Sequence, residues 1–164
     1  MTAPNPTGVT RCIRSALADA RVEAREIDAV NGHLTATGAD PREIRSWADA
    51  LERSPEDFPP IVSTKSMIGH ALGAAGAIES VASVLMLARG FLHASLNCED
   101  LHPEIAPYAG RVPHETVPAP EMRTLVKAGF GFGDVNACIV LRRWDDAGEP
   151  RVAPSIRSQE EKGK

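Results

Sequence analysis

The 164-residue sequence predicts an α/β fold. Two observations lead there. Strand-type and helix-type segments alternate through the first ninety residues and are followed by two late strand-type runs, an order that builds a sheet with helices packed on it. In addition, the histidines and the lysine that stand in small-residue loops all fall just after strand-type runs, where α/β sheets place their ligands.

The elements follow in chain order. Residues 8–20 read as a helix with Val9, Cys12, Ile13, Ala16, Leu17 and Ala20 along one face. Residues 27–30 are a short apolar run of strand type ending at Asn31, followed by the small-residue loop Gly32-His33-Leu34-Thr35-Ala36-Thr37-Gly38. Asp40 has the character of an N-cap, with Pro41 at the first helical position and Glu43 three residues after the cap. That helix runs through Ile44, Trp47, Ala48 and Leu51, and Pro55, Pro59 and Pro60 end it. Ile61-Val62 is a second short strand leading into Ser63-Thr64-Lys65-Ser66-Met67-Ile68-Gly69-His70.

Residues 71–88 carry only Glu79, Ser80 and Ser83 as polar groups. Their length permits a membrane span, but the mid-segment carboxylate and the lack of a companion span argue for a core helix. Gly73, Gly76 and the nearby alanines suit a helix pressed against other backbones. Residues 124–128 and 137–141 read as strands flanking the loop Gly129-Phe130-Gly131-Phe132-Gly133-Asp134-Val135-Asn136. The chain divides into one domain over residues 1–143 and a charged, Pro/Ser/Lys-rich tail over 144–164 expected to be disordered. There is no internal repeat.

Composition narrows the function. Aromatic residues make up only 4% of the chain, so the core is expected to be built from Ala, Val, Ile and Leu. A net charge of −4 without a basic block gives no sign of nucleic acid or of a membrane surface. The N-terminus lacks a signal pattern. Cys12, Cys98 and Cys138 are odd in number and far apart, which fits neither a disulfide framework nor a metal site and points to a reducing cytoplasm.

Taken singly, His33 and His70 are ambiguous between structure and chemistry. Their small neighbours leave room for a substrate, and His70 precedes the apolar helix, whose N-terminal dipole favours a neutral imidazole. A neutral imidazole can donate one hydrogen bond to a carbonyl oxygen that is gaining charge. A carboxylate at Glu79 inside an apolar helix needs a partner, and Lys65 is the one available. The glycine-rich segment 129–133 is either a tight turn or a flexible gate with Phe130 and Phe132 as lids.

In combination these segments resemble the β-ketoacyl-(acyl carrier protein) synthases. Asn31-Gly32-His33-Leu34-Thr35-Ala36-Thr37 resembles their Asn-Ala-His-Gly-Thr-Ser-Thr motif. Ser63 to His70 with Leu72-Gly73-Ala74-Ala75-Gly76 resembles Ser-Thr-Lys-Ser-x-x-Gly-His-x-x-Gly-Ala-Ala-Gly. Phe130 to Asn136 resembles Phe-Gly-Phe-Gly-Gly-Thr-Asn. The similarity runs from Thr2 to about Arg143. It implies the C-terminal half of a thiolase-like fold, a mixed sheet with packed helices, and a decarboxylative Claisen condensation of malonyl-carrier protein with an acyl thioester in fatty acid or polyketide synthesis. It further implies His33 and His70 as the catalytic histidines, Lys65 and Glu79 as the pair that orients them, and Thr35 and Thr37 at the phosphopantetheine arm. Phe132, with Phe130, Gly131 and Gly133, would form the gate and oxyanion hole.

No cofactor is implied beyond the phosphopantetheine of the acyl carrier protein. The implied partners are that carrier protein and an N-terminal half or subunit bearing the nucleophilic cysteine, in a dimeric assembly. The alternatives are a non-catalytic binding subunit like a chain-length factor, or an inactive fragment. Leu34 replaces a glycine of the family pattern, Gly129 a serine and Asp134-Val135 a Gly-Thr, and the loop to Asp40 is one residue short. No Ala-Cys-Ser-Ser elbow is present, so the chain is expected to start inside the fold. Cys12 and Cys138 read as buried small hydrophobes, while Glu99 and Asp100 oppose a thiolate at Cys98.

Overall fold

The computed structural model describes residues 5–144. The first residues of the family similarity and, beyond Trp144, the tail expected to be disordered lie outside that range.

Helix α1 (Pro6–Ala20) starts where Asn5 caps it, the side chain accepting from the Thr7 N–H at 3.1 Å with proline at the first position. Val9, Ile13 and Leu17, at helical spacing, are its buried stripe. A short 3₁₀ turn (Ala24–Glu26) leads into β1 (Ala29–Asn31). Helix α2 (Asp40–Leu51) is followed by β2 (Ile61–Val62), the short α3 (Lys65–Ile68), a 3₁₀ turn (Leu72–Ala74) and α4 (Ala75–Arg89). Strands β3 (Phe91–Leu92) and β4 (Val117–Pro118) form a small antiparallel pair flanking the 3₁₀ segment Pro103–Arg111. Strands β5 (Thr124–Gly131) and β6 (Val135–Arg142) close the chain.

The main sheet has the order β2-β1-β5-β6. Strand β1 runs parallel to β2 and β5, and β6 is antiparallel to β5. This is the mixed α/β sheet with packed helices that the sequence implied. Strand periodicity splits it into two faces. Val30, Ile61, Val126, Ala128 and Phe130 pack with α1 and α2, whereas Ala29, Val62 and Leu125 pack with Met86 and Leu87 of α4. The result is three layers, with β1 and β5 central and covered on both sides.

Three expectations are corrected. The core is not purely aliphatic: Trp47 and Phe58 are its largest fully buried side chains, because a small set of aromatics is concentrated there. The late strands are longer than expected, since the glycines at 129 and 131 continue β5 and only residues 132–134 turn. The helix expected from Ala71 begins at Ala75, after the 3₁₀ turn.

Residues 72–89 are long and apolar enough to cross a membrane by length and composition. Yet α4 packs on β5, and its Glu79 is buried in ion pairs to two lysines of other elements. Its other side is bare. Ile78, Val81, Val84 and Leu85 are exposed, and a Cβ added at Gly73 or Gly76 would meet nothing within 4 Å. The small-residue stripe that suggested close packing therefore has no partner among the described residues.

Candidate active site

The first half of the site is a loop gripped by α2. Strand β1 ends with the Gly32 N–H on the Val62 carbonyl, and His33 enters the loop beyond it. The Glu43 carboxylate takes the His33 N–H at 2.7 Å and the Leu34 N–H at 2.9 Å, and also accepts from Trp47 Nε1 at 3.2 Å. Glu43 is thus not the reciprocal half of a capping box. Nor is Asp40 an N-cap: Ala39 holds that position without a side-chain bond, and the Asp40 carboxylate turns outward to accept from Thr35 N at 3.1 Å and Ala36 N at 3.0 Å. The two acids that look like helix-start signals therefore shape the loop instead. Thr35 and Thr37 share a hydroxyl hydrogen bond of 3.1 Å.

Burial pushes the Glu43 carboxyl up to about 7, against the pull of its three N–H donors. His33 moves the other way, to about 4, through burial first and then the nearby Lys65 ammonium and His70.

His70 stands 5.4 Å from His33, ring centre to ring centre, in an edge-on arrangement. Its Nδ1 accepts the Leu72 N–H at 3.0 Å. The nitrogen that accepts carries no proton, so the proton of the neutral ring sits on Nε2. The bond comes from the 3₁₀ turn that precedes α4. Leu72 adopts a left-handed φ of 49° to make it, an uncommon conformation for a branched residue.

Behind the histidines, Lys65 is not a solvated loop lysine. It is buried in the first turn of α3, with Nζ in contact with Glu79 Oε1. Burial is the main influence that lowers its ammonium below the usual lysine range. A second lysine, Lys127 of β5, reaches the other oxygen of Glu79 at 2.7 Å. Beside this cluster, Asn31 donates to Thr64 Oγ1 and Ser83 Oγ at 3.0 Å each, and Thr64 contacts His93 Nε2 at 3.1 Å. This buried network ties β1 and α4 to Thr64 at the start of α3, below the site.

The hairpin between β5 and β6 forms the rim. Phe132 is exposed at its tip, beside Gly133 (φ 77°) and Asp134 (φ 64°). Phe130 is not a lid: it is buried in β5, 6.2 Å from His33 and 6.4 Å from Trp47 between ring centres. Gly131 is strand, its Cα facing the Val135 carbonyl closely enough that a Cβ would stand 3.3 Å from it. Asp134 keeps the left-handed turn where the family pattern has glycine, as a short acidic side chain tolerates. It accepts from Asn5 N at 3.3 Å and Asn136 Nδ2 at 2.9 Å, anchoring the hairpin to the start of α1.

These parts surround an open cavity of about 880 Å³ lined by His33, Thr35, Thr37, His70 and Phe132 together with Cys98. Lys65 also lines it, while Glu79 stands behind. Cys98 was not expected there. Burial, then Glu99 and Asp40, push its thiol up. Cys12 and Cys138 are half-buried rather than buried, and burial pushes Cys138 up to about 12. Among the described residues no cluster of potential metal ligands occurs.

Sequence reasoning missed Glu43, whose spacing mimics a capping box, and Lys127. The one signal for Lys127 was a charge inside an otherwise apolar strand with no local partner.

Residues 1–99 match the family described as "Beta-ketoacyl synthase, C-terminal domain". The chain is 39% identical over 148 residues to the chloroplastic 3-oxoacyl-(acyl carrier protein) synthase II of Arabidopsis thaliana, covering 86% of this chain and 26% of that protein. It is 36% identical over 146 residues to 3-oxoacyl-(acyl carrier protein) synthase 1 of Escherichia coli K12, covering 89% and 34%. Among solved structures, the ishigamide ketosynthase/chain length factor superposes with a TM-score of 0.80 at 34% identity, covering 88% of this chain and 34% of that one. The chain spans about a third or less of the length of these relatives, and it belongs to the β-ketoacyl synthase family, corresponding to the C-terminal portion of the thiolase-like enzyme.

Proposed function

We propose that this chain is the condensing half of a β-ketoacyl-(acyl carrier protein) synthase, and that it acts with a second half or subunit that supplies the nucleophilic cysteine. An acyl group is held as a thioester on that cysteine. Malonyl thioester on the phosphopantetheine arm loses CO2, and the electron pair of the broken C–C bond delocalises onto the thioester oxygen. The resulting enolate carbon attacks the acyl carbonyl, a C–C bond forms, and the cysteine leaves as thiolate.

His33 and His70 donate hydrogen bonds to the malonyl thioester oxygen while it carries the enolate charge, an interaction stronger in the transition state than in the ground state. Lys65 and Glu79 orient the pair. Thr35 and Thr37 hold the pantetheine arm, and Phe132, with Gly131 and Gly133, forms the gate and oxyanion hole. Phe130 supports the gate from within β5 rather than closing it. The bare apolar side of α4 is the seat of the cysteine-bearing half, in an assembly that is dimeric overall.

The observation that carries this reading is the His33–His70 pair, 5.4 Å apart over one cavity, with His70 held as an Nε2–H donor by Leu72. The test is CO2 release and β-ketoacyl product from malonyl-carrier protein, using this chain assembled with its cysteine-bearing partner. His33→Ala and His70→Ala should each lower decarboxylation by about a hundredfold or more while acyl transfer to the cysteine persists. Normal condensation by both variants refutes the assignment. Native mass spectrometry of the chain from its source tests the partner, and finding only a lone chain or a self-aggregate counts against it.

A further inference from the structure

Lys127 is the buried charge that the proposed chemistry leaves without a role. It sits in the middle of β5, paired in register with Asn31 of β1 and Ile139 of β6, and is 4% exposed. Its Nζ lies 2.7 Å from Glu79 Oε2 and donates to the Ala128 carbonyl at 2.7 Å. Burying an ammonium is costly unless it is paired. Glu79 already has a partner, because Lys65 occupies its other oxygen. A single lysine balances a single carboxylate, whereas two lysines leave one positive charge over, in a place where water screens it poorly.

That surplus faces the site. His33 feels Lys65, His70, Glu79 and Lys127 from α3, the loop after it, α4 and β5, and its backbone N–H is held by Glu43 of α2. Lys127 and Lys65 both act against a proton on His33, and Glu79 acts for one. Within the Lys65–Glu79–Lys127 cluster, Lys127 makes the balance of charge positive.

A second observation concerns the space beside this ammonium. Lys127 and Gly129 lie on the same face of β5, two residues apart. A Cβ at position 129 would stand 3.3 Å from Lys127 Nζ. The departure from the family's serine at this position keeps the space beside the charge open.

On these grounds we infer that Lys127 is a positioning residue for the proposed condensation: it shares Glu79 with Lys65 and leaves a net positive charge behind His33 and His70, which favours the enolate's negative charge in front of them. The inference rests on the proposed function for its catalytic consequence, but its electrostatic part is measurable in the chain itself.

The first experiment is an NMR titration of the His33 ring in the full chain, for the parent, Lys127→Met and Lys127→Arg. The midpoint should move up in Lys127→Met and return towards the parent value in Lys127→Arg. Should Lys127→Met fail to fold, Lys127→Gln reads the same loss of charge with a donor retained. The second experiment is the pH profile of malonyl decarboxylation in the assembled enzyme. The acid limb should shift upward in the neutral variant and kcat fall about tenfold, with KM changed less than about twofold, and arginine should restore both. An unmoved His33 midpoint, or arginine behaving like methionine, overturns the inference. A midpoint that moves as expected in a protein that never decarboxylates malonyl supports the electrostatic role and sinks the proposed reaction instead.

Discussion

The Glu43 carboxylate lies beneath the His33–Leu34 backbone, with one oxygen on each of the two N–H groups at 2.7 and 2.9 Å. Helix α2 thereby holds the loop that presents His33, and the same carboxylate is fixed in turn by Trp47 Nε1 from one turn further along the helix. A loop after a short strand is ordinarily the least ordered part of an α/β site. Here its backbone donors are satisfied by a side chain rooted in the core, so the imidazole starts from a fixed position.

Glu43 and His33 act on stability with opposite signs. The folded-state value of His33 is about 4, below its ordinary 6.5, so between those values the unfolded chain binds more protons and stability falls on acidification. The folded-state value of Glu43 is about 7, above its ordinary 4.5, so the folded chain binds more protons there and stability falls as pH rises. The slopes oppose each other from pH 4.5 to 6.5. Glu43→Gln removes one of them. Its loss of stability on going from pH 6.5 to 4.5, measured by urea unfolding, should exceed that of the parent by about 1–2 kcal/mol. Equal losses in the two proteins would show that Glu43 does not titrate in this range.

Asp40 performs for Thr35 to Thr37 what Glu43 performs for His33. Without its carboxylate the Thr35 and Ala36 N–H groups lose their acceptor. If the two threonines hold the pantetheine arm, Asp40→Ala should raise KM for malonyl-carrier protein several-fold, with a smaller effect on kcat. Steady-state kinetics of the assembled enzyme decide this, and an unchanged KM removes the threonines from the binding role.

The order of elements was legible in the sequence because each signal was local. Ile61-Val62 is preceded by two prolines, α2 has a clear apolar stripe, and the two late strands are mostly apolar runs. What escaped was anything set by contacts far apart in the chain. Glu43 has the spacing of a capping box, yet its side chain answers to His33, ten residues back. Lys127 pairs with a glutamate forty-eight positions away in sequence, and nothing near it announces that. The small pair β3–β4 rests on two residues from each strand, below what periodicity can detect.

The Gly32 and Leu34 positions are coupled. A Cβ at Gly32 would stand 2.9 Å from Glu43 Oε1 and 3.2 Å from Leu34 Cγ. The family pattern, alanine then glycine at these two places, is reversed here to small then large. Gly32→Ala should therefore destabilise the chain by about 1–3 kcal/mol, because the pinned Glu43 oxygen has little room to retreat. Adding Leu34→Gly should recover part of that loss, since it removes one of the two contacts. Thermal unfolding of the single and double variants measures the coupling, and a double variant no better than the single would place the whole strain on Glu43.

The bare side of α4 separates folding from assembly. Val81 and Val84 are 61% and 50% exposed on a helix whose opposite side holds Glu79 and Met86 in the core. Polar substitutions at such positions cost a folded chain little, typically within about 0.5 kcal/mol each. Covered by a second half, the same positions would bury a charge against apolar surface at a cost of several kcal/mol. Val81→Glu with Val84→Lys should thus leave the unfolding midpoint of the chain nearly unchanged, while abolishing its sedimentation as a complex with the cysteine-bearing half and, with that, condensation. If the double variant assembles as well as the parent, the half that supplies the cysteine seats elsewhere, and α4 has another reason to be apolar on both sides.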